Sequence, residues 1–327
     1  MQVPAHVEYE KATSVAQALA LLGRYAPSAR VLAGGHSLIP MMKLRLAQPE
    51  VLVDINPITA LRYIDLHPVE RGRAGKGPAA GTGELRIGTL ARHADLLDSR
   101  VAGDHFAILH DAERVIADPI VRQWGTIGGS LCQADPSEDL SAAFAALKGS
   151  MVIQGPGGSR EVSARAFHTG PYETVVGPDE LLTEIRLPVR PGSGSGYLKV
   201  CRRAGDWPIG AAGAAVWLAG GLIADVGIGL TAVGAAHFVA AEAEEFLRGR
   251  APTADALERA GEIAAEHCRP ASDQRGPAEY KRHLVRELTA RVLRTAVLRA
   301  GGPAHASVPY PSAPSPTTGP TATGPSS

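Results

Sequence analysis

Residues 31–37 read V-L-A-G-G-H-S, and residues 125–131 read G-T-I-G-G-S-L. Each stretch is a Gly-Gly pair, flanked by small or apolar residues and followed closely by Ser. One such pair would be a turn. Two in similar settings point to two loops that both bring backbone close to something. Glycine allows positive φ and leaves no Cβ in the way. A strand ending at Ala33 followed by a helix would also expose N–H groups suited to an anion. A plain strand-to-helix turn stays open for the first loop taken alone.

Working outward from the first loop, the elements alternate. Glu8 to Glu10 is a short extended entry. Ser14 can cap a helix to about Tyr25, with Val15, Ala18, Leu19 and Leu22 on one face. Arg30 to Ala33 reads as a strand, His36 to Leu46 as a helix, and Val51 to Ile55 as a strand. That β-α-β-α-β order is an α/β unit. Around the second loop, His110 to Ile116 is helical, and Ser137 is expected to cap an apolar helix from about Leu140 to Leu147. Asp139 at its start fits a first-turn acid or a ligand acceptor.

The C-terminal region is different. Ala211 to Leu218 and Asp225 to Leu230 look like paired strands. Ala240 to Leu247, Thr253 to His267 and Pro277 to Leu298 then read as helices. Strands followed by helices predict an α+β unit. Arg190 to Gly196, R-P-G-S-G-S-G, reads as a linker between strand-like runs, and Glu70 to Gly83 as a hairpin or loop. Gly301 to Ser327 is mostly Pro, Ser, Thr, Gly and Ala, the composition of a disordered tail.

The chain has 327 residues, with 33 Lys plus Arg against 33 Asp plus Glu. That length predicts two or three domains. A balanced charge offers no footprint for nucleic acid. No apolar run is long enough for a membrane span, and the N-terminus has no signal-peptide pattern. The three cysteines, Cys132, Cys201 and Cys268, are far apart, which disfavours a disulfide scaffold, a zinc ribbon or an iron–sulfur cluster on this chain. The expected location is the cytoplasm, with association at the inner face of the membrane left open. Cys132 has no activating base in the sequence around it and reads as structural.

Neither glycine loop is G-x-G-x-x-G or a Walker loop. Two separate phosphate-cradling loops would suit a dinucleotide with a central pyrophosphate. Ala33 to Ala47 (A-G-G-H-S-L-I-P-M-M-K-L-R-L-A), together with Thr126-Ile-Gly-Gly-Ser130, resembles the FAD-binding medium subunits of molybdenum hydroxylases. The likeness is strongest to the medium subunits of aerobic carbon monoxide dehydrogenase, and xanthine dehydrogenase flavin domains are similar. It continues through Ile116 to Leu131, Ala134 to Asp139, Tyr197 to Asp206 and Pro270 to Leu284, covering about residues 1 to 299 in order.

The resemblance implies an α+β protein. A two-subdomain FAD-binding domain of the vanillyl-alcohol oxidase and cell-wall reductase type would span residues 1–178 (subdomains about 1–57 and 58–178). A smaller α+β domain would span 179–299, leaving 300–327 as the tail. It further implies that FAD lies between the two N-terminal subdomains, with each loop donating backbone N–H groups to its pyrophosphate. By position, Ala33, Gly34, Gly35, His36 and Ser37 match the first FAD loop. Thr126, Ile127, Gly128, Gly129 and Ser130 match the second, where the family often has Asn at the last place. Asp139 matches an acid on FAD hydroxyls, Leu182 and Lys199 match positions touching the cofactor, and Tyr197 matches an aromatic shielding one flavin face. Each also has a plainer reading: core for Leu182, packing for Tyr197, a solvated lysine for Lys199 and a positional role for His36. No residue is assigned as catalytic and none as a metal ligand on this chain.

The implied role is an oxidoreductase subunit carrying electrons to an external acceptor. The molybdenum cofactor would sit on a large partner and [2Fe–2S] clusters on a small one, in a heterotrimer or a dimer of heterotrimers. A free-standing FAD oxidoreductase and a flavin-less assembly subunit are the alternatives. Val in place of Gly34 or Gly128 is expected to abolish FAD retention with the fold otherwise kept.

Overall fold

The computed structural model describes residues 3–68 and 83–301. The expected loop at Glu70 to Gly83 lies outside these, except for Gly83, and so does the tail beyond Gly301.

The first unit is the expected β-α-β-α-β. Strands Glu8–Lys11, Ala29–Leu32 and Val51–Asp54 form a parallel sheet with Val51–Asp54 in the middle. Helix Val15–Tyr25 makes the crossover; Ser14 caps it by accepting from the Gln17 N–H at 3.1 Å, and Ala18 and Leu22 are buried. The second helix is shorter than expected, Leu38–Lys43. Its continuation stops because Arg45 takes a left-handed φ of 61°.

The second unit is a five-stranded antiparallel sheet in the order Ile64–Pro68, Gly83–Gly88, Leu181–Val189, Ser150–Gly155, Gly158–Ser163. Leu181–Val189 is thus the central strand, although the sequence places it after the domain boundary. Helices Ala107–Glu113, Ile127–Gln133 and Asp139–Ala146 contribute the apolar layer against it, including Ile108, Leu109, Ile127, Leu131, Leu140 and Phe144, none of them exposed. Ser137 does not cap the last helix. Glu138 does, accepting from Leu140 N–H at 2.9 Å and Ser141 N–H at 2.6 Å, because its longer side chain reaches the first-turn amides from one residue closer.

The third unit is an antiparallel sheet, Ser193–Val200, Gly210–Ala219 and Leu222–Thr231, covered by the 22-residue helix Ala278–Arg299. The proposed linker is not one. Ser193 to Gly196 begins a strand paired with Ala214 to Trp217, and the helix presses so closely on Gly194 that a Cβ there would collide with the backbone of Ala296 and Ala300. The same closeness joins the units: a Cβ on Gly229 would collide with the Ala142 carbonyl, so helix Asp139–Ala146 rests directly on strand Leu222–Thr231. One continuous packing therefore runs from the five-stranded sheet through this helix to the C-terminal sheet. Among the described residues no helix is long and apolar enough to cross a membrane.

Candidate functional site

A cavity of about 1190 Å³ opens where the three units meet. That exceeds the roughly 300–1,000 Å³ of ordinary small-ligand pockets. Both glycine loops line it. From the first come Ala33, Gly34, Gly35, His36 and Ser37; from the second, Thr126, Gly128, Gly129 and Ser130. Asp139, Leu182 and Lys199 line it as well. Ile127 and Tyr197 do not. Ile127 is fully buried in the apolar core, and Tyr197 lies behind the cavity wall, 4% exposed.

The two loops touch. A Cβ on Gly34 would stand 2.9 Å from Cα of Gly125 and closer still to the Trp124 carbonyl. Gly35 adopts φ 76°, turning the chain out of strand Ala29–Leu32. Among the described residues, the N–H groups of Gly34, Gly35, His36 and Ser37 have no hydrogen-bond acceptor. Four consecutive free donors make a concave anion-binding nest.

The second loop departs from expectation. Its amides are occupied: Ile127 N–H donates to Ala91 carbonyl at 2.9 Å, Gly128 to Thr89 carbonyl at 2.9 Å, Gly129 to the Thr126 hydroxyl at 3.1 Å and Ser130 to Thr126 carbonyl at 3.0 Å. The glycines there serve close approach within the protein. A Cβ on Gly128 would meet Thr89 Cβ at 2.5 Å. Val at Gly34 or Gly128 therefore collides with this chain's own backbone or side chains, and the expectation that the fold is otherwise kept does not hold.

Residues that sequence reasoning missed brace this junction. Arg92 donates to the Trp124 carbonyl and, at 2.8 Å, to Asn56 Oδ1. Asn56 Nδ2 donates to the Ala33 carbonyl at 2.8 Å. One guanidinium thus ties the first loop to the second through a single amide. Asn56 and Arg92 are 36 residues apart in ordinary polar contexts, so no local pattern announces them.

Buried charge also lines the cavity wall. Lys199 Nζ lies 2.8 Å from Asp139 Oδ2, with side chains only 2% and 5% exposed. Lys199 also donates to Val115 carbonyl at 3.1 Å, and Tyr197 hydroxyl donates to Asp139 Oδ1 at 2.7 Å. Lys199 is therefore not a solvated lysine, and Tyr197 is an anchor for Asp139. Burial raises the Asp139 carboxyl, and Lys199 and Tyr197 oppose that. Beside them His93, also in the wall, holds Nδ1 3.0 and 3.1 Å from the two oxygens of buried Glu113. Nearby, the Thr89 hydroxyl is buried with no hydrogen-bond partner among the described residues, and Thr89 lines the cavity.

The donor set fits a flavin dinucleotide. The nest suits an anionic diphosphate, and the orphaned Thr89 hydroxyl and the polar wall can take sugar and ring hydrogen bonds. Leu182 and Leu90 supply apolar surface for a ring.

The family described as "FAD binding domain in molybdopterin dehydrogenase" matches residues 5–190, and "CO dehydrogenase flavoprotein C-terminal domain" matches 195–296. The carbon monoxide dehydrogenase medium chain of Hydrogenophaga pseudoflava is 37% identical over 298 residues, 91% of this chain and 99% of that one. The glyceraldehyde dehydrogenase medium chain of Sulfolobus acidocaldarius is 33% identical over 291 residues, 89% of this chain and 98% of that one. Among solved structures, carbon monoxide dehydrogenase from Hydrogenophaga pseudoflava lacking the Mo-pyranopterin moiety superposes with a TM-score of 0.83 at 38% identity, over 91% of this chain and 99% of that one. With both of its parts matched and relatives alike along nearly their whole length, the chain belongs to the FAD-binding medium subunits of the molybdenum hydroxylases.

Proposed function

We propose that this chain is the FAD-carrying electron-transfer subunit of a molybdenum-containing dehydrogenase of the carbon monoxide dehydrogenase type. Its partners are a large subunit with the molybdenum cofactor and a small subunit with [2Fe–2S] clusters, assembled as a dimer of heterotrimers in the cytoplasm. The observation that carries the reading is the nest of free N–H groups at Gly34 to Ser37, facing a cavity shared by three units. Bound FAD supplies a centre that exchanges electrons singly with clusters and in pairs with an acceptor.

The chain's own residues do the holding and shaping. The Gly34 to Ser37 amides bind the diphosphate. Thr126 caps the second loop and keeps Gly128 and Gly129 close, while Ser130 offers a hydroxyl in place of amides already used. Lys199 and Tyr197 fix Asp139, whose remaining lone pairs accept from cofactor hydroxyls. Leu182 gives an apolar wall that keeps water from the ring.

The division into a cofactor-binding part and a C-terminal part is placed in the turn between Val189 and Ser193, since Leu181–Val189 is central to the second sheet. The relatives are named for different substrates, so the substrate is left to the large partner. The test is co-expression with candidate partner genes: co-purification of three chains, with substrate-dependent bleaching of bound flavin, is expected. A chain that turns over substrate and acceptor alone would overturn the subunit reading in favour of a free-standing oxidoreductase.

A further inference from the structure

His93 and Glu113 form a buried pair that the glycine-loop reading does not use. His93 opens helix His93–Asp98, and its backbone N–H donates to the Gly125 carbonyl at 3.2 Å. Gly125 lies so close that a Cβ there would stand 2.8 Å from His93 Cδ2 and 3.4 Å from Nε2. Gly125 in turn abuts Gly34. The ring therefore sits directly behind the junction of the two loops. Its side chain is 5% exposed, yet it belongs to the cavity wall.

The two ring nitrogens have different fates. Nδ1 faces both oxygens of Glu113, which is 0% exposed. That fixes Nδ1 as the proton-bearing nitrogen in the neutral ring. Nε2 has no hydrogen-bond partner among the described residues. An oriented imidazole with one free nitrogen in a ligand cavity has the geometry of a proton-binding contact.

We propose that His93 is a cofactor-contacting residue that takes up a proton as FAD binds, and that Glu113 is the positioning residue that fixes its ring; this rests on the FAD-binding reading above. The charges around it agree. Glu113, Glu138 and Asp139 face the ring, Lys199 pairs with Asp139, and Arg122 lies near Glu113; on its own helix Asp95 is held by Arg62 and the Arg92 N–H. A diphosphate adds negative charge to a cavity whose wall already holds Glu138 and Asp139, with Glu113 buried beside the ring. An imidazole changes its charge near neutral pH, which suits it to answer that added negative charge. Burial disfavours its charge, but Glu113 outweighs that and raises it above the ordinary value. The proton comes from water, and no bond to the cofactor forms or breaks.

The test is FAD titration of the full chain, purified with the subunits that accompany it and stripped of flavin, across about pH 6 to 9. Between the imidazole's value in the free protein and its higher value in the complex, the affinity is expected to fall by up to about tenfold per pH unit. His93→Asn should flatten that slope, and Glu113→Gln should move its onset to lower pH by removing the carboxylate's support. Calorimetry of the unmodified protein in buffers of different ionisation enthalpy, at a pH above the imidazole's value in the free protein, should read close to one proton taken up per FAD, so the inference stays testable if a variant fails to fold. Tight binding with no proton uptake anywhere across that pH range, or an unchanged slope in His93→Asn, overturns this inference and leaves the FAD reading intact. No FAD binding at any pH overturns both.

Discussion

Lys199 on the first C-terminal strand and Asp139 at the start of a helix in the second unit meet 2.8 Å apart, each nearly inaccessible to solvent. This part of the cavity wall is therefore built across the packing of two units, and neither forms it alone. Removing one partner leaves the other charge buried without compensation, a cost of about 3–5 kcal/mol. Lys199→Met should lower the melting temperature sharply and empty the site of flavin. A Lys199→Met protein with unchanged melting temperature would show that the pair is not buried as described.

Gly34 has backbone on its far side, so no side chain can swing away to admit a methyl group. Gly34→Ala should push the two loops apart, costing about 1–3 kcal/mol and reducing the flavin-to-protein ratio together. The check is a paired measurement of melting temperature and visible absorbance. Loss of flavin with no loss of stability would mean that the glycine meets only the ligand.

Arg92 and Asn56 act through one network. Arg92→Ala and Asn56→Ala should each weaken FAD binding, and the double variant should lose barely more than the worse single one. A coupling energy of about 0.5–3 kcal/mol is expected from the cycle. Simple additivity would separate the two residues.

Thr89 offers the opposite sign. Its buried hydroxyl has no partner among the described residues, and an unmet buried polar group costs about 1–3 kcal/mol. Thr89→Val should raise the stability of the flavin-free chain while weakening FAD affinity. Equal loss of both would make the threonine a packing residue.

Acid sensitivity follows from the lowered carboxyls. Burial alone would raise Asp225, but Lys148 and Arg190 hold it below the ordinary 3.8. A depressed folded-state value contributes stability above the unfolded value that is lost as pH falls through the folded one. Unfolding midpoints should therefore drop on the acid side, below about pH 3.8, and Asp225→Asn should shallow that limb. An identical acid limb in the variant would remove Asp225 from the cause.

Local chemistry was legible in the sequence; long-range closeness was not. The Ser14 cap, the β-α-β-α-β order and the paired strands near Ala211 and Asp225 follow from short-range pattern, and the structure has them. The run Ser193 to Gly196 misleads because glycine and serine usually mark flexibility, whereas here small residues admit the helix ending at Arg299. Ser137 yields to Glu138 because side-chain reach decides a cap as much as residue type. The sequence singled out both glycine loops, and both line the cavity, but only a structure shows that the second has spent its amides internally. Asn56, Arg92, His93 and Glu113 gain meaning only when the fold brings them together.

The most direct measurement is the visible spectrum of the purified chain with its accompanying subunits, followed by acid release of the chromophore. A flavin spectrum with about one equivalent of acid-releasable FAD per chain is the expected result for a dinucleotide held without a covalent bond. A folded, assembled protein that carries no flavin and takes up none when FAD is added would contradict the cofactor reading and point to an assembly subunit.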